Sequence, residues 1–333
     1  MTRTVRIRLT VGTIALAVLL VAVFGGWNGI RTWRAWQSIE RIDFDPVATR
    51  QLLEIETGFT TEAPAGAPPD GGLEYDTVLA IGSDFDPNDP DRQEGIYADA
   101  LLLYLAPANG DDPVLASLPR DLLVTNPCTG TTTKLNRTLE GCGDEVSGAD
   151  LVALVVEDFT GVPIDHYATF DFDGFVAVVD AVGGVEICVE YALREGSLDL
   201  LPAGCSVVDG IGALRWIRSR TTQEFVGGEW RFVEGVSDVA RTRRQQQLMV
   251  ALLARLNEIR SPAGLAATAE QLGETLALDD SFSLAEAVAM VWDLRGTAGS
   301  RIRLIIVPTE PIVLDDGSFA LRATIPFAEL IQG

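Results

Sequence analysis

ALLLYLAPANGDDPVLASLPRD, residues 100–121, decides the fold class. Two apolar runs, Ala100–Ala106 and Val114–Leu118, flank Asn109-Gly110. That dipeptide accepts the left-handed backbone of a hairpin turn, so the runs read as two antiparallel strands. Upstream, Thr77–Ile81 (TVLAI) is a third strand. Downstream, patterns alternate: a helix over 150–160, a strand over 167–172, a helix over 174–182 and a strand over 185–189. Helices over 210–218, 239–256 and 284–295 and a late strand over 302–307 complete the series. Strands and helices mixed in this way predict a three-layer α/β/α domain with a mixed central sheet.

The hairpin also places chemistry. Its open end holds the start of one strand, with Asp99, and the end of the other, with Arg120 and Asp121. If Thr77–Ile81 pairs antiparallel with the first strand, Asp84 arrives at the same edge. Carboxylates beside an arginine are a set that takes Mg²⁺ with phosphate oxygens. The competing reading makes Asp84 and Asp99 turn or cap residues.

A second cluster lies on the helix over 239–256. Arg241, Arg244, Gln245, Leu248, Leu252 and Leu256 recur at steps of three or four and share a face. The apolar end of that face must turn inward, and the arginines follow it. A helix N-terminus already carries positive partial charge, so inward arginines there call for an anion. Neutralisation by Asp238 and other carboxylates is the plainer alternative. Arg218 and Arg220 in R-S-R would point the same way in an extended segment.

Charge and compartment narrow the classes. The net charge is −23, Lys134 is the only lysine and His166 the only histidine. Nucleic acid is an unsuitable partner for such a chain. Arg3, Arg6 and Arg8 precede an apolar run over 9–27, about the ~20 residues that span hydrocarbon. This predicts a cytoplasmic tail (1–8), a transmembrane signal anchor (9–27), a juxtamembrane segment and Pro/Gly-rich linker (28–72) and an extracytoplasmic domain (73–333). The localisation is thus the cell membrane, single-pass. A cleaved signal peptide is the rival. The four cysteines, Cys128, Cys142, Cys188 and Cys205, suit an oxidising compartment. Three pairings are possible; the one by proximity, Cys128–Cys142 and Cys188–Cys205, closes two short loops.

Several motifs, in order, resemble those of the LytR–CpsA–Psr family. They are GSD (82–84), YADA with Asp99, SLPRD (117–121) followed by Lys134 and Asn136, VPIDHYATFDFDGFVAVVDAVGGVEICV (162–189), RSR (218–220) and DVARTRRQQ (238–246). The resemblance implies a phosphotransferase that moves a glycosyl phosphate from a polyprenyl-pyrophosphate-linked donor to peptidoglycan. It implies Mg²⁺ on Asp84 and Asp99. Arg120, Arg218, Arg220, Arg241 and Arg244 would hold the pyrophosphate, with Gln245 beside them. Asp121 or Asp238 would accept the proton, with Lys134 and Asn136 toward substrate, and an apolar groove would take the lipid. Two family arginines are replaced, by Asp86 and Tyr97, and Arg92 is a candidate substitute. The insert over 222–235 is long. These departures keep two other readings open: a non-catalytic binder of lipid-linked glycans, and a hydrolase of the pyrophosphate. His166 is read as structural.

Overall fold

The computed structural model describes residues 26–57, 75–83, 97–219, 221–233, 238–259, 261–273, 276–297, 302–314 and 317–332. The predicted anchor (9–27) therefore lies almost wholly outside the described residues. Among those described, no helix is long and apolar enough to cross a membrane.

The chain opens with α1 (26–38), β1 (Glu40–Ile42) and α2 (Pro46–Thr57). Next come β2 (Tyr75–Ser83), β3 (Ala98–Pro107), β4 (Val114–Leu118), β5 (Leu123–Asn126), β6 (Thr131–Lys134), a 3-10 turn and α3 (Gly148–Thr160). The middle holds β7 (His166–Phe170), α4 (Phe172–Ala181), β8 (Val185–Val189), β9 (Leu193–Glu195), β10 (Leu198–Leu201), β11 (Gly204–Val208) and α5 (Gly210–Arg218). There follow β12 (Thr222–Val226), β13 (Glu229–Phe232), α6 (Asp238–Glu258), α7 (Pro262–Leu272), β14 (Leu276–Asp279), α8 (Leu284–Thr297), β15 (Arg303–Ile306), β16 (Thr309–Val313), β17 (Phe319–Ala323) and α9 (Phe327–Gln332).

Seven strands form the central sheet, in the order β1-β14-β7-β2-β3-β4-β15. β2 pairs antiparallel with β3 and parallel with β7, so the sheet is mixed, as expected. Alternation along the strands divides its two faces. Leu79, Ile81, Leu101, Leu103 and Leu105 share one buried cluster with α3. Helix α3, GADLVALVVEDFT, is apolar nearly all round, which suits a helix buried in a large core. Ser147 caps its start by accepting from Asp150 N, and Gly161 ends it in the left-handed conformation (φ 73°). On the opposite face, Gly82, Ala100 and Leu102 line a cavity together with residues of α4, α5 and α6. A second cluster, with Val179, Val185, Trp216 and Leu248, seals that layer.

Two boundaries differ from expectation. The strand expected over 167–172 stops at Phe170, because the Asp171 side chain accepts from Gly174 N (2.8 Å) and starts α4 two residues early. The segment read as a juxtamembrane spacer supplies structure to the domain: β1 pairs parallel with β14 at the sheet edge. Helix α1 is fastened there too. Arg31 Nε donates to Glu270 Oε1 (2.7 Å), and the Trp36 and Phe282 rings meet edge-on at 6.0 Å. The linker over 60–72 lies outside the described residues.

Cys128 is bonded to Cys142, and Cys188 to Cys205. The second bridge joins directly opposed residues of β8 and β11. Each constrains the unfolded chain by about 3 kcal/mol. Thermal unfolding with and without reductant is expected to separate by that amount per bridge, and overlapping melts would contradict it.

Candidate active site

The cavity between the central sheet and helices α4, α5 and α6 has a volume of about 560 Å³. Its polar lining includes Ser83, Asp99, Arg120, Glu195, Arg215, Arg218 and Gln245, and its apolar lining Phe175, Leu198, Leu214, Ile217, Leu248 and Met249.

Asp99 reaches the cavity through a β-bulge. Gly82 pairs with Ala100 and Ser83 with Ala98, so Asp99 has no counterpart on β2. An extra residue of this kind re-aims a side chain out of strict alternation. Ala98 and Leu101 both join the core on the α3 side, three residues apart, while Asp99 lines the cavity. Gln245 Nε2 donates to Asp99 O (3.3 Å), tying α6 to the bulge. Gly82 stands beside it, and a Cβ there would meet Ala100 Cβ and the Phe170 ring at 3.3 Å each.

Arg120 follows β4 directly. Its Nη1 donates to Asp99 Oδ1 at 2.5 Å, and its Nε lies 3.5 Å from Asp121 Oδ2. Lys134 Nζ stands 3.0 Å from Asp121 Oδ1. The β5–β6 hairpin sets this spacing, and Asn136 N donates to Arg120 O (2.8 Å) just beyond it. Arg120, Asp99, Asp121 and Lys134 thus form one alternating chain of charge. Asn136 acts on it through its backbone.

Arg218, in the last turn of α5, lies 4.0 Å from the Phe172 ring centroid, a cation–π contact that orients it at the cavity. Arg244 behaves differently from expectation. Its Nη1 donates to Trp216 O (2.6 Å) and its Nη2 to Ser219 O (2.7 Å). The negative end of α5 therefore balances this inward arginine, a partner that an anion was expected to supply. Arg244 positions the turn that carries Arg218. Arg244→Lys keeps the charge and loses the fork. It is expected to speed amide exchange at 216–222 by about tenfold. Unchanged protection there would remove the positioning role.

Asp84, Asp86, Arg92 and Arg220 lie outside the described residues, as do the side chains of Asp238 and Arg241 at the start of α6. Tyr97 is described and half-buried just before β3. The apolar lining was the part least visible in the sequence. Its signal is the helical spacing of Leu214, Ile217 and Arg218 on α5 and of Gln245, Leu248 and Met249 on α6.

His166 is distant in role. Its Nδ1 lies 3.3 Å from Asp279 Oδ2, and its ring stacks on Phe282 at 4.2 Å.

Asp99 suits a divalent cation. Only its Oδ1 is hydrogen-bonded among the described residues, which leaves Oδ2 for the one or two carboxylate contacts Mg²⁺ takes beside substrate oxygens.

The model of the LytR_cpsA_psr family matches residues 72–324. LcpB of Corynebacterium glutamicum, a probable cell wall biosynthesis protein, is 32% identical over 246 residues, 73% of this chain and 51% of that protein. TagU of Halalkalibacterium halodurans, a polyisoprenyl-teichoic acid–peptidoglycan teichoic acid transferase, is 26% identical over 242 residues, 68% of this chain and 74% of its own. The chain spans about half the length of LcpB and of its companion LcpA (51% and 44%). The solved LytR-Csp2A-Psr enzyme from Actinomyces oris shares the fold, with a TM-score of 0.65 at 22% identity, over 88% of this chain and 94% of that one. With a mixed sheet, a cavity lined by charged residues and a family match over residues 72–324, the chain belongs to the LytR_cpsA_psr family.

Proposed function

We propose that the protein transfers a glycosyl phosphate from a polyprenyl-pyrophosphate carrier to a peptidoglycan hydroxyl, outside the membrane that holds its N-terminus. The observation that carries this reading is a cavity lined both by cationic groups, Arg120 and Arg218 among them, and by apolar side chains. A ligand matching both kinds of lining has a charged head joined to a lipid tail. Relatives named as polyisoprenyl-teichoic acid–peptidoglycan teichoic acid transferases supply the substrate classes.

Arg120 and Arg218 hold the pyrophosphate oxygens and stabilise the charge that grows there in the transition state. The acceptor oxygen bonds to the sugar-side phosphorus. The bond from that phosphorus to the bridging oxygen breaks, and polyprenyl phosphate leaves. The acceptor proton passes to a carboxylate, with Asp121 and Asp238 the two candidates. Asp99 and Asp84 would hold Mg²⁺, which supplies further neutralisation of phosphate charge when bound. Most of the remaining rate comes from alignment of the two substrates.

The test is incubation of the full chain in bilayer discs with a polyprenyl-pyrophosphate oligosaccharide and a soluble peptidoglycan fragment, with and without Mg²⁺. Metal-dependent linkage of sugar phosphate to the fragment is expected. Tight donor binding without product would instead support a binder, the reading favoured by the replacements at Asp86 and Tyr97. Release of free sugar phosphate without linkage would support a hydrolase.

A further inference from the structure

The long insert over 222–235 folds as the β12–β13 hairpin, the edge of a small sheet ordered β10-β9-β12-β13. Toward β9 and β10, one face of this sheet packs on the domain, while Glu229 and Arg231 on the same face of β13 are exposed. Leu193 and Thr222 are buried in the packed part, and Glu195 and Leu198 of β9 and β10 line the cavity. The other face is open and aromatic. Register puts Phe225 opposite Trp230 and Phe232 opposite Gln223, all on that side. Phe225 and Phe232 are 43% and 67% exposed. The Phe225 and Trp230 rings meet at 5.1 Å. Arg194 completes the surface: its guanidinium lies 4.2 Å from the Trp230 ring, and its Nε donates to Gln223 Oε1 (2.7 Å). Asp199 stands opposite Arg194 on β10.

Exposed rings on a solvent face of a sheet lower solubility unless something covers them. Here they alternate with an amide, a guanidinium and a carboxylate. A sugar ring matches that mixture, since it has an apolar C–H face and a rim of hydroxyls. The face carries one positive and one negative charge within a chain of net −23. An anionic bilayer is repelled by such a chain, whereas a neutral saccharide is not. Position agrees. The platform begins at Gln223 and Phe232, beside the turn Ser219–Thr222 that follows Arg218, and runs away from the cavity. A polymer whose end reacts at Arg218 would pass over it.

We infer that the outer face of the β9–β10–β12–β13 sheet is a glycan-binding platform that holds the polymeric acceptor strand beside the cavity, with Trp230 and Phe232 stacking on successive sugar rings. The identity of the polymer as acceptor rests on the transferase reading.

The test titrates the full chain in bilayer discs with short N-acetylglucosamine oligomers and with peptidoglycan glycan strands, and follows tryptophan emission. Saturable binding is expected, weakened about tenfold in Trp230→Ala and in Phe232→Ala. Phe232 is mostly exposed, so its removal tests the platform even if Trp230→Ala fails to fold. In the transfer assay both variants are expected to raise KM for a long glycan acceptor about tenfold relative to a single-disaccharide acceptor. Wild-type affinity in both variants would overturn the platform while leaving transfer intact. Saturable, Trp230-dependent binding with no transfer would keep the platform and sink the transferase reading. Quenching of Trp230 emission by brominated lipids, or a change of oligomeric state in Phe232→Ala, would assign the face to the bilayer or to a second copy and overturn the proposal.

Discussion

Arg120→Ala is expected to lower glycosyl-phosphate transfer by about 10²–10³-fold, the cost of deleting one preorganised transition-state donor. The loss should fall on kcat, because the guanidinium serves two tasks at once. Under the proposed function it offers charge to the pyrophosphate, and in the structure it holds Asp99 Oδ1 at 2.5 Å. Without it, the Asp99 carboxylate loses its partner at the cavity mouth. The domain should stay folded. Both side chains of the pair keep about a fifth of their surface exposed (21% and 22%), so water can reach Asp99 once the guanidinium is removed. Arg120→Lys keeps charge without the planar fork and should fall between the two. Near-normal transfer by a folded Arg120→Ala protein would remove the assignment.

The largest stability effect is expected at Asp279. This carboxylate is fully buried at the end of β14, where Asp279 pairs with Ile42 of β1. It accepts from Tyr167 N (3.0 Å), Phe282 N (2.7 Å) and Ser281 Oγ (2.5 Å), and it faces His166. Asp279→Ala leaves buried donors unanswered and is expected to cost about 3–5 kcal/mol. For a domain of this size that lowers Tm by roughly 10 °C. Asp279→Asn retains the shape but turns an N–H₂ toward donors, so it should recover little.

The same pair gives a pH signature. Burial pushes the Asp279 carboxyl up. Hydrogen bonds from His166, Ser281 and Tyr167 N, with the imidazolium charge, outweigh it and hold the group below the usual range. Its stabilisation is complete above about pH 4, the unfolded value, and is lost as pH falls through the lower folded value. His166 moves oppositely. Burial lowers it, and the hydrogen bond and charge of Asp279 outweigh that and raise it. Its contribution is complete below about pH 6.5 and disappears as pH rises through the raised folded value. Urea midpoints should therefore peak between those limits, and His166→Asn should flatten the alkaline limb. An unchanged limb would show that the imidazole is uncharged in the fold.

Strands with apolar runs were legible in the sequence, as β2, β3 and β4 illustrate, because burial dominates their composition. β9, β10, β12 and β13 were not. They are only three to five residues long, and polar residues keep their apolar runs to two at most. Asp99 was placed correctly at the edge of its strand. The bulge that turns it inward is a matter of register between Gly82 and Ser83, which no single segment records. Arg244 marks a different limit. Helical spacing predicted an inward cation, but two carbonyls at another helix end, Trp216 O and Ser219 O, accept from it where a phosphate was expected. Which partner it finds depends on tertiary packing.

β1 has a mechanical meaning beyond its hydrogen bonds. For a chain held in a bilayer by residues 9–27, the first described residues run at once into a helix of roughly 20 Å. That helix ends on a strand already locked into the sheet. In a chain so anchored the attachment would be a strut, and the proposed active site would work at one set altitude above the lipid. Sugars of the wall nearer or farther than that altitude would escape it. Extra residues spliced into 58–74 would leave the altitude unchanged, whereas extra residues between α1 and β1 would raise it and shift which wall sugars can be reached.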